Sequence, residues 1–246
     1  MKNRRDSEGA TGSALLVRQA GLATPATVAA MTVAPDIDAP PVALDDRTLS
    51  LAAADLAARD PDLAGILARH GPPPLWAREP GFATLVAIIL EQQVSLRSGA
   101  AALARLAGAA GGLDPESVAA LGEDGARAAG LTRQKARYVV GLAERVVDGR
   151  LDPAALDAVD DDEVRTRLVA IPGIGRWTAD IYLLMALGRP DVWPDGDLAL
   201  AAAMRSAKGL DGLPDAVAQR RIAEAWRPWR AVAARLLWQA YLAGER

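Results

Sequence analysis

An all-helical fold is what this sequence predicts, on three observations. Its apolar half (51%) is carried by Ala, Leu and Val, with only 4% aromatic residues, and Ala and Leu lose little freedom on entering a helix. From Thr48 onward the punctuation is helical, with Asp or Thr at starts, Pro in first turns and Gly at ends. No segment alternates apolar and polar residues as a half-buried strand does.

Residues 1–45 mix Ala, Pro, Thr, Gly and Asp without a period, so a mostly disordered leader, packing at most partly on the core, is expected ahead of a helical domain over 46–246. Helices are then expected at 48–58; 61–69, behind Pro61; 80–93; 95–109; 115–121, behind Pro115; and 123–129 after Gly122. Further along they are expected at 133–148, capped by Thr132; 153–158; 161–170, led by acids; 175–187, closed by Gly188 and Pro190; 197–207, entered at Asp197; 214–225; and 229–243. No solenoid-like repeat is present.

Inventory excludes several chemistries. With no cysteine and a single histidine, His70, there is no disulfide, thiolate nucleophile, Cys zinc site or iron-sulfur cluster. No apolar run approaches the roughly 18–20 residues that cross a bilayer, and the first ten residues are too polar to lead a secretory segment, so a soluble, cytoplasmic protein without a membrane partner is expected. A net charge of −3 argues by itself against nucleic acid. Distribution matters more than the sum: Arg127, Arg133, Lys135 and Arg137, and separately Arg220, Arg221, Arg227, Arg230 and Arg235, form basic clusters that read either as a local positive face or as ordinary solvated helix.

The most specific stretch is Leu168 to Leu187, LVAIPGIGRWTADIYLLMAL, where one helix ends near Ala170 and another follows Pro172, Gly173, Ile174 and Gly175. This is a helix-hairpin-helix: two glycines permit a tight turn and let N–H groups of the next helix face a phosphate. A plain αα turn is the alternative for the glycines alone. Beyond it, DVWPDGDL brings Asp197 to the mouth of a helix, where it serves as an N-cap and equally as a fixed negative charge beside a cleft. Asp195 is its rival within the loop. Asp180 is placed one turn beyond Arg176 and is expected to pair with it.

IPGIGRWTAD followed by DVWPDGDL resembles the helix-hairpin-helix (HhH-GPD) DNA glycosylase superfamily, and the likeness extends over most of Thr48 to Gly244. FATLVAIILEQQVSLRSGA (Phe82 to Ala100) is similar to the family's first core helix and Gln-containing turn, and GLTRQKA (Gly130 to Ala136) to its G-L-x-x-x-K-A segment. WRPWR through Trp238 is similar to the end of the 3-methyladenine DNA glycosylase II branch. The resemblance implies two helical lobes with the hairpin and a base pocket at their cleft. It implies a monofunctional enzyme of base excision repair, acting as a monomer on damaged double-stranded DNA, associated with the nucleoid when at work.

Lyase-competent branches carry a lysine two residues after the second hairpin glycine. Here that residue is Trp177, so no amine is available there for covalent catalysis. Several sister branches carry a four-cysteine cluster that a cysteine-free chain cannot hold. Both absences point to alkylated purines such as 3-methyladenine and 7-methylguanine. On this reading Asp197 stabilises positive charge growing on the sugar of a flipped nucleotide. Trp177 and Trp238, with Ile181 in place of the branch's usual second aromatic, form the base pocket and stack a cationic base. Gln93, or else Gln92, fills the gap left in the duplex; capping the helix end is the competing role of either amide. Pro172, Gly173, Ile174, Gly175, Arg176 and Lys135 are expected at the DNA backbone. The carbonyls of Ile171 and Ile174 are expected to hold Na+ or K+, with no other cofactor. A passive helix-hairpin-helix DNA-binding module, and a glycosylase for another damaged base, are the competing functions. Trp226 and Trp229 are expected in the core.

Overall fold

In the computed structural model, which describes residues 43–245, the chain is helical, and no strand occurs among those residues. The expected leader therefore lies, up to residue 42, outside the described residues. Its last positions belong to the body: Leu44 is buried and its N–H donates to the Gly188 carbonyl at 2.8 Å. In order the helices are α1 (Asp46–Arg59), α2 (Pro61–His70), α3 (Phe82–Glu91), α4 (Leu96–Ala110), α5 (Pro115–Ala128), α6 (Arg133–Val147), α7 (Asp161–Val169), α8 (Arg176–Met185), α9 (Leu198–Lys208), α10 (Ala216–Ala223) and α11 (Arg230–Leu242).

The caps explain the boundaries. Side chains of Asp45, Asp60, Ser95, Asp114, Thr132, Asp160, Asp197 and Asp215 each accept an N–H of the turn they start, meeting donors that a helix leaves without internal partners. The two helices expected on either side of Gly122 are present and meet at a kink where that glycine leaves helical backbone (φ +68°, ψ 174°); both are covered by the label α5. The expected helix at 153–158 is only a 3-10 turn at Ala154–Leu156, and a second such turn, Glu224–Trp226, follows α10. The helix expected over 80–93 stops at Glu91, because Gln92 turns extended and Gln93 enters the left-handed region at φ +57°.

Packing gathers both ends of the domain: α1, α2, α9 and α11 lie against one another, while α3 to α6 form a second group and α8 lies on α3. Both groups share one contiguous apolar core. Three helices are buried on most sides: α3 through Leu85, Val86, Ile88, Ile89 and Leu90, α8 from Thr178 to Leu184, and α11 from Ala231 to Trp238. These three, with the start of α9, bound the site described below.

A polar knot clamps the terminal group. Asp60 caps α2 and also accepts Lys208 Nζ of α9 at 2.6 and 2.8 Å and Trp226 Nε1 at 2.7 Å. Trp226 is 1% exposed, so its indole N–H has no water to turn to. Burial alone would raise the Asp60 carboxyl, but the bonds from Lys208 and Trp226 outweigh it and hold the group below its ordinary 3.8, while Lys208 is raised above 10.5. The knot's stability is therefore complete between those values, lost on the acid side as pH falls through the folded Asp60 value and on the alkaline side only above 10.5. Asp60→Ala, which strands the buried Trp226 indole and leaves Lys208 with Asp62 alone at 2.9 Å, is expected to cost about 1–3 kcal/mol in urea unfolding. Asp60→Asn should flatten the acid limb of the stability profile, and a wild-type-like limb in that variant would remove Asp60 as its source.

Candidate active site

The hairpin is built by two glycines with different duties. Ile171 and Ile174 are buried and anchor the turn from beneath. Gly173 takes φ +94°, and a Cβ there would lie 2.4 Å from the Tyr138 ring, so no other residue fits. Gly175 has ordinary extended backbone (φ −92°, ψ 175°) and no neighbour within 4 Å of where a Cβ would stand. The protein itself does not require a glycine at that position. Gly175 is the N-cap of α8 and offers no side chain to the helix's first N–H groups, which stay available to an anion from outside. Gln92 braces the turn, donating from Nε2 to the Gly173 carbonyl at 2.9 Å and to Thr178 Oγ1 at 3.0 Å.

The loop after α8 is pinned by Val192 and Trp193, both buried, with Trp193 packed on Trp226 at 5.5 Å between ring centroids. Gly196, at φ +80°, turns the chain so that Asp197 caps α9. Oδ1 of Asp197 accepts the Leu200 N–H at 2.8 Å and Trp238 Nε1 at 3.4 Å, and Oδ2 accepts Trp177 Nε1 at 3.0 Å. Its rival differs in kind: Asp195 Oδ2 is shared by Arg176 at 3.1 Å and Arg220 at 2.8 Å. No lysine or arginine nitrogen of the described residues comes within 4.0 Å of Asp197, so its charge is left uncompensated.

Asp197 edges a cavity of about 540 Å³ whose walls include Trp76, Trp177, Ile181, Met185 and Trp238, a size within the roughly 300–1,000 Å³ of small-molecule sites. A second, shallower hollow, bounded by Gln92, Gln93, Gly173, Gly175 and Thr178, shares Trp177, Asp197, Ala199 and Tyr241 with the first. The hairpin groove thus runs into the aromatic cavity at Asp197. Sequence reasoning brings together Asp197, Trp177, Trp238 and Ile181 here, and it misses Trp76. That ring meets Trp238 edge-on at 6.4 Å and sits on backbone with φ +48°, a costly conformation for a bulky residue that marks functional positions. The run Gly71-Pro72-Pro73-Pro74 just before it excludes helix and was the available signal.

Other expected contacts fall differently. Gln93 is exposed on its left-handed backbone and its side chain takes no hydrogen bond among the described residues, whereas Gln92 is committed to the hairpin. Lys135 is turned inward: Nζ donates to the carbonyls of Leu90 at 2.7 Å and Gln92 at 3.0 Å, closing the end of α3, and burial pushes the ammonium below its ordinary value. Arg176 makes the expected i,i+4 ion pair with Asp180 only at 3.9 Å and lies closer to Asp195, at 3.1 Å. The principal partner of Asp180 is Arg165 at 2.7 Å; burial raises the carboxyl and Arg165 opposes it. The sequence could not show this pairing, because Arg165 reaches α8 from α7 across the hairpin. Trp226 and Trp229 pack on the core as expected.

A glycine turn and a capping acid that meet across one cleft, with helices behind both, define a helix-hairpin-helix protein. The chain belongs to the HhH-GPD superfamily of base excision DNA repair proteins, whose pattern its residues 86–228 match. It is 32% identical over 127 residues to DNA-3-methyladenine glycosylase 1 of Schizosaccharomyces pombe, covering 51% of this chain and 55% of that one. Among solved structures it is similar to a DNA-3-methyladenine glycosidase from Bacillus halodurans, with a TM-score of 0.67 and 31% identity over 77% of this chain and 89% of that one. A Schizosaccharomyces pombe 3-methyladenine DNA glycosylase in complex with abasic DNA shares the fold, with a TM-score of 0.73 and 24% identity over 80% of this chain and 98% of that one. The chain spans 44% and 37% of the length of two further curated relatives, from Bacillus subtilis and Mycobacterium tuberculosis.

The two glycines should separate in experiment. Gly173→Ala is expected to lower the unfolding temperature markedly. Gly175→Ala should leave it within a degree or two yet weaken duplex binding about tenfold or more, measured by fluorescence anisotropy. Equal thermal cost at both positions would deny Gly175 its outward duty.

Proposed function

We propose that the chain is a monofunctional DNA glycosylase that extrudes an alkylated purine from duplex DNA and hydrolyses its N-glycosidic bond. The observation that carries this reading is the carboxylate of Asp197, without a cationic partner, at the junction of the hairpin groove and an aromatic cavity.

As the C1'–N bond breaks, positive charge moves from the alkylated purine onto the sugar, and a fixed negative charge beside the sugar stabilises it there more than it does the ground state, in which the sugar is neutral. The N–H donors of Leu200, Trp177 and Trp238 fix both oxygens in place before the substrate arrives, so little reorganisation is needed during the reaction. Bond cleavage leaves the electron pair on the departing purine. A purine alkylated at N3 or N7 already carries positive charge and needs no proton to leave. Trp76, Trp177 and Trp238 offer such a cation electron-rich rings, each contact worth about 0.5–2 kcal/mol. Water is the acceptor: oriented by Asp197, its oxygen bonds to C1' and the proton it loses passes to the Asp197 carboxylate and on to solvent, while Trp177 leaves no amine at its position for a covalent sugar adduct.

Gln93, unbonded and exposed at the groove, is the side chain placed to fill the vacated stack; Gln92 serves the hairpin instead. The first N–H groups of α8 are suited to grip a phosphate. A monovalent cation at the hairpin would rely on the carbonyls of Ile171 and Ile174, and the former already accepts the Ile174 N–H at 3.0 Å; no step depends on such an ion. No helix of the described residues is long and apolar enough to cross a membrane.

Incubating the protein with methylated duplex DNA should release free 3-methyladenine and 7-methylguanine. Asp197→Asn should lower the single-turnover rate by about 10²–10³-fold while leaving duplex binding intact. Release that survives in the variant would remove Asp197 from its role, and borohydride trapping of a protein–DNA adduct would contradict the monofunctional mechanism.

A further inference from the structure

We infer that Glu91 and Arg78 form a reader of the base's hydrogen-bonding edge, one that favours 7-alkylguanine over 3-alkyladenine. This rests on reading the cavity at Asp197 as a base pocket. Apart from Asp197, these two are the charged side chains lining that cavity among the described residues, where Tyr241 adds a neutral phenol. Glu91 closes α3, and Arg78 Nη2 reaches its Oε2 at 2.9 Å, with side chains only 26% (Arg78) and 20% (Glu91) exposed. They are shielded from bulk water yet open to the cavity.

Both are held rigidly. The Arg78 backbone N–H donates to the Met185 carbonyl at 2.8 Å, tying its loop to the end of α8. Glu91 packs against Gly99 of α4 so closely that a Cβ there would come within 2.7 Å of the glutamate Cγ. Oε1 of Glu91 nevertheless accepts no hydrogen bond among the described residues, and it is not among the polar atoms sealed from solvent. A largely apolar cavity is therefore edged by a carboxylate whose Oε1 is unused and whose Oε2 has a lone pair to spare, beside the remaining N–H donors of a guanidinium.

Guanine matches that pattern. Its Watson–Crick edge carries two adjacent donors, N1–H and the exocyclic amine, next to the O6 acceptor, and flipped bases are read on this edge. A carboxylate takes the donors and a guanidinium takes O6. Adenine offers a single donor beside the N1 lone pair, which a carboxylate repels. Alkylation at N7 leaves guanine's edge intact.

Free bases test this without requiring catalysis. The full chain is titrated with 7-methylguanine, with 3-methyladenine, whose equal or tighter binding would overturn the inference, and with 7-methylhypoxanthine, which lacks only the exocyclic amine, while tryptophan fluorescence reports occupancy through Trp76, Trp177 and Trp238. Wild type is expected to prefer 7-methylguanine over 7-methylhypoxanthine by about tenfold, the cost of a lost charge-assisted bond. Glu91→Gln should bring the ratio to within twofold. Arg78→Lys, which keeps the charge, should weaken both bases alike through the shared O6 and preserve the ratio, so it remains informative should Glu91→Gln not fold. A wild-type ratio near one, a ratio preserved in Glu91→Gln, or one that collapses in Arg78→Lys would each overturn the inference. Release of methylated purines from duplex DNA is measured in parallel: absence of both products would sink the proposed function, while the free-base ratio judges the pair separately.

Discussion

Three N–H donors meet on one carboxylate, and each comes from a different helix. Leu200 donates from the first turn of α9, Trp177 from the first turn of α8, and Trp238 from the middle of α11. Moving any of these helices by an ångström breaks a bond to Asp197, and hydrogen bonds weaken steeply with such displacement. The relative placement of α8, α9 and α11 is therefore the constraint on which the site depends. Much of the remaining structure can be understood as the means of meeting it.

The arginines of the last thirty residues carry much of that task. Arg235 is fully buried in α11 and donates to the carbonyls of Leu75, Leu184 and Ala231. It links the backbone just before Trp76 with the end of α8, joining two cavity walls to the helix that carries Trp238. Burial brings its guanidinium down to about 10, still charged near neutrality, and five donors allow one side chain to satisfy three elements. Arg230 and Arg227 bind Asp191, and Arg220 binds Asp195, so the loop that delivers Asp197 is held from α10 and α11. Of the basic cluster that reads in sequence as a candidate DNA face, Arg235 and Arg230 are internal scaffolding, while Arg220 and Arg227 stay exposed and are tied to the loop acids.

This bears on what was legible in the sequence. Local chemistry was readable: Asp and Thr caps, the kink at Gly122, the hairpin glycines and the cap at Asp197 all follow from backbone rules acting over a few residues. The family likeness ordered those motifs into one fold and put Trp177, Trp238 and Ile181 beside Asp197. Side-chain destinations set by distant partners were not readable. Lys135 and Arg176 look like surface cations until α3 and the Asp195 loop are folded beside them, and Asp180 finds Arg165 only because α7 packs on α8. Trp76, Arg78 and Glu91 escaped for the same reason: no local pattern announces that a proline-rich loop and the end of α3 will face one cavity.

The hairpin and the cavity are coupled by the shortness of their connection. Gly175 caps α8, and Trp177, only two residues on, already touches both hollows and Asp197. At about 1.5 Å of rise per residue, the N–H groups suited to a phosphate and the ring suited to a base lie within one turn of the same helix. A helix turn is rigid, so on the proposed reading the register between a gripped phosphate and an extruded base would be set by covalent geometry and not by loop closure. That arrangement explains why Gln92, Thr178 and Tyr138 are spent on bracing the turn: with grip and pocket on one rigid element, any wobble of the hairpin would reach Asp197 undiminished.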